Sequence, residues 1–175
     1  LIDNYYQIKN IIYFYKNLLT FWHNTVILKL FQGEKGRNDL RITHEADYAI
    51  RVTYCLALAG EKQCAKDISE VTGVTLRFAL KILRKLTQSG ITKSYKGVAG
   101  GYELNHSPSE ISLGAIIECI DGPIAINHCL ANEFQCTHMG TQKECDFHRV
   151  FSEINRSLRD QLCSITMDRF LPPQK

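Results

Sequence analysis

Three cysteines and a histidine fall close together late in this chain, as C-x6-C-x8-C-x2-H: Cys129, Cys136, Cys145 and His148. They sit among polar residues, in a stretch rich in Cys, His, Asn and Gln. Three thiolates and an imidazole can complete a tetrahedral Cys3His zinc site. Three thiolates and one further ligand can hold an iron–sulphur cluster. The same thiols without metal could form a redox switch. The spacing leaves all three open. His128 and His138 lie nearby and read as solvated loop residues. A single cysteine acting as nucleophile needs a base and a pocket. His148 could be the base, but three clustered cysteines and no oxyanion signature argue against an enzyme. With no secretory signal, a disulphide framework is not expected. The other four cysteines, Cys55, Cys64, Cys119 and Cys163, stand singly and mostly among apolar residues, and read as buried free thiols.

The elements that must position this group are legible on either side. Residues 124–147 have no clear period, and a loop of that length in a compact domain is usually functional or disordered. Before it, Ser112 caps a helix containing Leu113, Ile116, Ile117 and Ile120, stopped at Asp121-Gly122-Pro123. After it, Phe147, Phe151, Ile154, Leu158, Leu162 and Ile165 form a heptad-like stripe on a long helix that ends before Pro172-Pro173. After a small domain such a stripe stays exposed unless a second copy covers it, so residues 148–171 are expected to be a dimerisation helix.

Thr75 to Tyr102 is a second site of chemistry. Leu76, Leu80, Leu83 and Leu86 are spaced to share one helical face, with Thr75 at the N-cap position. Arg77, Lys81, Arg84, Lys85, Lys93 and Lys96 are uninterrupted by Asp or Glu. Past Ser89-Gly90, Ile91 to Tyr95 and Tyr102 to Leu104 read as two strands joined by a glycine-rich turn. Such a helix suits a DNA major groove, and a basic hairpin suits the backbone or minor groove. An ordinary amphipathic surface helix would share the composition. What precedes it favours DNA. Thr43 can cap a buried helix through Glu45 and Leu56 to Gly60, and Ala65 to Thr72 is a short helix with Ile68 and Val71 inward. Gly73-Val74 then leads straight into Thr75, which makes a winged helix-turn-helix over residues 40–106.

Charge agrees with a local rather than a general basic character. The 175 residues carry a net +3. Residues 1–39 hold five of the 21 Lys/Arg and three of the 18 Asp/Glu, which leaves 16 and 15 for the remainder. The positive charge that matters is the patch. Residues 1–39 differ in composition from the rest. Ile11 to Phe31 is apolar on average but broken by Lys16, His23, Asn24 and Lys29, unlike a membrane span, and no signal-peptide cleavage site follows. Their composition is what translated AT-rich non-coding sequence would give, and Gly33 to Arg37 can be written in purine-rich codons. The expectation is that the natural chain starts at Leu40, with residues 1–39 outside the native fold, and that the protein is cytoplasmic.

Leu40-Arg41-Ile42-Thr43, Asp47-Tyr48-Ala49, the wing Lys96-Gly97-Val98-Ala99-Gly100-Gly101-Tyr102, Ser112-Leu113-Gly114 through Asp121-Gly122-Pro123, the three-cysteine loop and the terminal helix together carry a resemblance. From residue 40 to about 170 the chain resembles the winged-helix repressors typified by IscR and NsrR, the Rrf-two family. The resemblance implies a mainly α fold with a small β-wing. It implies a homodimeric transcription regulator, a repressor; a two-fold dimer would present two recognition helices about one DNA turn apart, hence a near-palindromic operator in double-stranded DNA. It also implies an iron–sulphur cluster, 2Fe–2S or 4Fe–4S, on Cys129, Cys136 and Cys145. The fourth ligand is then His148, as in IscR-like members, or Asp47 of the other subunit, as in NsrR-like members. Asp47 also reads simply as an acid favoured at a helix N-terminus. Both cysteine spacings are somewhat longer than usual for those members. At the DNA, the resemblance places Thr75, Arg77 and Phe78 at recognition positions with Lys81 one turn on, and Lys96 as the wing residue entering the minor groove. Lys81, Arg84 and Lys85 would hold phosphates. Leu80 stands where IscR-like members carry an acidic specificity residue.

Overall fold

A computed structural model describes residues 41–97, 100–131 and 145–173. Helix α1, His44–Ala59, starts as its sequence requires. The Thr43 hydroxyl accepts from the Ala46 N–H at 3.1 Å, and Gly60 closes the other end at φ 62°, with its N–H on the Leu56 carbonyl. Its Ala46, Ala49, Val52 and Leu56 are fully or almost fully buried. Helix α2, Ala65–Thr72, carries buried Ile68, and Gly73 at φ 70° ends it. Val74 is buried, and the Ser69 hydroxyl donates to its carbonyl at 2.7 Å, fixing the turn into α3, Leu76–Gln88.

The buried stripe of α3 differs from the one expected. Ala79, Ile82, Leu83 and Leu86 face the core, whereas Leu76 and Leu80 are 44% and 41% exposed. At about 100° per residue, the first four centre on one face and the two leucines fall on its flank. Thr75 occupies the N-cap position through its carbonyl, which accepts from Phe78 and Ala79; its side chain makes no cap bond.

The wing is an antiparallel pair, β1 Thr92–Tyr95 and β2 Gly101–Leu104, in register Thr92 to Leu104 and Tyr95 to Gly101. Gln63 adds a rung, exchanging two backbone hydrogen bonds with Tyr102. Gly101 is needed there, because a Cβ would lie 2.6 Å from the Gln63 carbonyl oxygen.

A capping box at Ser107–Glu110 leads into α4, Leu113–Asp121, capped by Ser112 as expected. Helix α5 spans Asp146–Ser164 and is shorter at its C-terminus than the stripe suggested. Ile165 to Met167 runs extended and pairs with Ile111 to Leu113: Leu113 N–H bonds Ile165 O, and Met167 N–H bonds Ile111 O, both at 2.9 Å. Backbone pairing with α4's entry is available only to a non-helical strand, so Ile165 leaves the stripe. Met167 is buried in the same core as α1, α3 and α4. The C-terminal end of α5 is thereby anchored to the winged domain. No residue of α5 is itself buried. The boundary drawn at residue 39 and the reading of residues 1–39 lie outside the described residues.

Candidate nucleic-acid interface and cysteine centre

The exposed side of α3 carries Arg77, Lys81 and Arg84, with Leu76 and Leu80 beside them. Thr75, Arg77, Phe78 and Lys81 line one shallow depression at the helix N-terminus. These are the recognition positions expected from sequence, gathered by the turn at Gly73-Val74. Phe78 is held edge-on against Tyr48 of α1, with ring centroids 5.7 Å apart. Lys81 lies over the Phe78 ring at 5.4 Å.

Sequence reading had no signal for Glu45. Its carboxylate sits under the basic face, 2.8 Å from both Lys81 Nζ and Lys85 Nζ. The Lys81 contact is a hydrogen bond. Oε1, toward Lys85, is buried and is held by charge without hydrogen-bond geometry. The two lysines hold the Glu45 carboxyl below the usual carboxylate range, against the opposing effect of burial. Lys85 also donates to the Ile120 carbonyl at 3.3 Å. Lys85 therefore joins α3 to both α1 and α4, while Arg84 is exposed on the outer face. On the wing, Lys93 and Lys96 are exposed. The turn end of the hairpin is stiffened by Lys62 over the Tyr95 ring and by the Tyr95 hydroxyl bonded to Glu103.

The cysteine centre assembles on α5. Cys145 occupies the N-cap position and makes no side-chain cap bond. His148 follows one turn on, half-buried, with Nδ1 3.5 Å from the Ser152 hydroxyl. Cys129 lies in a 3-10 turn, His128–Leu130. The segment before that turn is tied to α5 by one side chain: Asn155 Oδ1 accepts from Ile126 N–H at 3.0 Å, and Nδ2 donates to the Ile124 carbonyl at 2.9 Å. Cys129, Cys145 and His148 are thus carried by α5 or by a turn packed on it. Cys136 and His138 lie outside the described residues. Among the described residues no three His, Cys, Asp or Glu side chains converge as a metal site. The donor set itself, soft thiolates with an imidazole, suits zinc or iron–sulphur chemistry. Asp47 projects from the first turn of α1 and is 2.8 Å from Arg51.

The remaining cysteines divide by surroundings. Burial, reinforced by the Asp67 charge, pushes the Cys55 thiol up to about 11, so it stays protonated and inert. Cys64 caps α2, with Sγ accepting from Asp67 N–H. Cys119 contacts the Ser89 hydroxyl. None of the four meets the buried-thiol expectation in full: Cys55, Cys64 and Cys119 are half-buried, and Cys163 on α5 is exposed.

A family model described as Rrf2, iron-dependent transcriptional regulator, matches residues 42–173. The chain belongs to the Rrf2 family. This is a family of transcription regulators and not of enzymes. A putative helix-turn-helix regulator of Mycobacterium tuberculosis is 35% identical over 88 residues, covering 49% of this Rrf2 chain. The match spans only about half of that relative, 55% of its length. The regulator IscR of Pectobacterium carotovorum is 27% identical over 136 residues, covering 75% of this chain and 79% of its own. Among solved structures, CymR of Bacillus subtilis, described as its global cysteine regulator, superposes with a TM-score of 0.59. The two are 21% identical, over 74% of this chain and 95% of that one. The expected mainly helical winged-helix architecture is what the fold and these neighbours show. No described helix is long and apolar enough to cross a membrane.

Proposed function

We propose that this Rrf2 protein is a homodimeric repressor whose operator affinity is set by an iron–sulphur cluster on Cys129, Cys136 and Cys145, with His148 or Asp47 as fourth ligand. One observation carries the DNA half of this reading. The first turns of an exposed basic helix, Thr75, Arg77, Phe78 and Lys81, form a single concave surface within a winged fold. Arg77 reads guanine in the major groove. Lys81 and Arg84 hold phosphates, with Lys85 adding charge from its scaffold position, and Lys96 reaches the minor groove from the wing.

When bound, the cluster supplies iron chemistry that responds to nitric oxide, iron supply or redox state. The chain's own residues turn ligation into geometry. Cys145 and His148 begin α5, and Asn155 ties the Cys129 segment to the same helix. The other end of α5 is pinned at Ile165 and Met167. Closing the cysteine loop therefore fixes the free end of a helix whose Phe147, Val150 and Ile154 are 77%, 45% and 50% exposed. Those residues recur along one stripe that a second copy would cover. Through that contact the spacing of two recognition helices follows the state of the cysteines.

A zinc site, or a thiol switch without metal, is the second reading. It is favoured by the likeness to a cysteine regulator. Anaerobic purification followed by visible absorbance, iron and sulphide analysis separates the readings. Absorbance with stoichiometric iron and sulphide is the expected result, and replacing His148 and Asp47 in turn then assigns the fourth ligand. A colourless protein with zinc, or with no metal, overturns the cluster in favour of the second reading.

A further inference from the structure

Leu76 and Leu80 are the two leucines of α3 that the core does not use. Leu83 and Leu86 are fully buried, whereas Leu76 and Leu80 stand open on the first two turns. They are neighbours at i and i+4. By helical spacing Leu80 is also next to Arg77 and Arg84, both exposed. A pair of leucines rimmed by arginines is a poor docking surface for an apolar helix, because the guanidinium groups would have to be buried with it. It suits a polar, anionic partner that shows isolated apolar points. The major groove is such a surface: among the four base edges, the thymine C5-methyl is the apolar feature.

We propose that Leu76 and Leu80 are specificity-determining residues that select thymine by covering its methyl group. The inference rests on the DNA-binding reading above. Four residues of helix rise about 6 Å, and base pairs along a strand are about 3.4 Å apart. The two leucines therefore meet thymines about two steps apart in each half-site, beside the guanine read by Arg77.

The test begins with a duplex selected from a random library by the full-length protein. Each thymine of a half-site is then replaced by deoxyuridine, which removes the methyl and keeps base pairing. Loss of one methyl contact should weaken binding about fourfold, the factor for uncovering one such group. Leu80→Ala and Leu76→Ala, both at exposed positions, should bind more weakly overall, and each should lose the thymine-over-uracil preference at its own position. The proposal is overturned if no uracil substitution changes the wild-type affinity, or if both variants keep the full wild-type preference. Failure of the wild-type protein to select any duplex is a different result, which removes the DNA-binding reading itself.

Discussion

Arg159 on α5 grips the carboxylate of Glu118 on α4 with two hydrogen bonds, Nε to Oε1 at 2.7 Å and Nη2 to Oε2 at 3.2 Å. Helix α4 in turn meets α3, where the Ile120 carbonyl accepts from Lys85 and Cys119 Sγ lies against the Lys85 carbonyl. Its last residue, Asp121, also takes the Thr43 hydroxyl at the cap of α1, at 2.6 Å. One short helix therefore touches the cysteine-bearing helix α5, the basic helix α3 and the start of α1.

Arg159→Gln should uncouple the two ends. Couplings of this kind are typically about 5- to 150-fold in affinity. The ratio of operator affinities between cysteine-ligated and unligated protein should fall toward one in the variant, with little change in the unligated form. An unchanged ratio, measured by fluorescence anisotropy on both forms, would show that α4 does not carry the signal.

Glu45→Gln tests the ion pairs beneath the basic face. The carboxyl of Glu45 titrates below its unfolded value because Lys81 and Lys85 stabilise its charge. Its contribution is full above the unfolded pKa of about 4.3 and is lost as pH falls through the lower folded value. The variant should be less stable than wild type by about 0.5–1 kcal/mol at pH 7, with the gap closing in acid. Urea unfolding across that range checks it; a gap that persists at the acid end contradicts the assignment.

Gly114→Ala should strike the contact between α4 and α5. A Cβ there would lie 2.6 Å from Cys163 Sγ and 3.1 Å from the Cys163 amide nitrogen. Overpacking of this kind costs about 1–3 kcal/mol. Adding Cys163→Ala should recover part of the loss, because the sulphur goes while the backbone stays. No loss in a denaturant titration of the single variant would mean that the two helices do not pack this closely.

Ile154→Asp should give a monomer. The side chain is half exposed in the single chain, midway along α5 and on one stripe with Phe147 and Val150, and a carboxylate there has no route to solvent once a second helix covers it. Sedimentation velocity should show wild-type dimer and variant monomer. A variant that remains a dimer places the interface elsewhere.

At the DNA surface, Arg77→Ala and Lys81→Ala should fail differently. The first should lose about 1–3 kcal/mol on the selected duplex and relax its sequence preference. The second should weaken binding to all sequences alike and lower the salt slope by about one. A sequence-selective loss for Lys81→Ala would reassign it to a base.

Much of this was legible in the residues because local chemistry dictates it. Thr43, Ser112, Gly60 and Gly73 punctuate helices wherever they fall, and the wing glycines leave few other conformations. The α3 stripe was misread for a physical reason. Leucine spacing alone cannot tell a core leucine from one at the edge of the stripe, and Ala79 and Ile82 complete a better-centred face. The early end of α5 depends on pairing with Ile111 to Leu113, a non-local contact that periodicity does not register. Glu45 and Asn155 were invisible for the same reason. Each acts only on residues brought to it by the fold, 36 and 40 positions from Glu45 to its two lysines and about 30 from Asn155 to Ile124 and Ile126.

Control of operator affinity by the cysteines is tested most directly on one selected duplex. Anaerobically purified protein is titrated against it before and after removal of iron by a chelator. The account predicts affinities that differ at least fivefold, the lower bound of ordinary allosteric coupling, with the difference abolished in Cys145→Ala. Equal affinity of the two forms would contradict it.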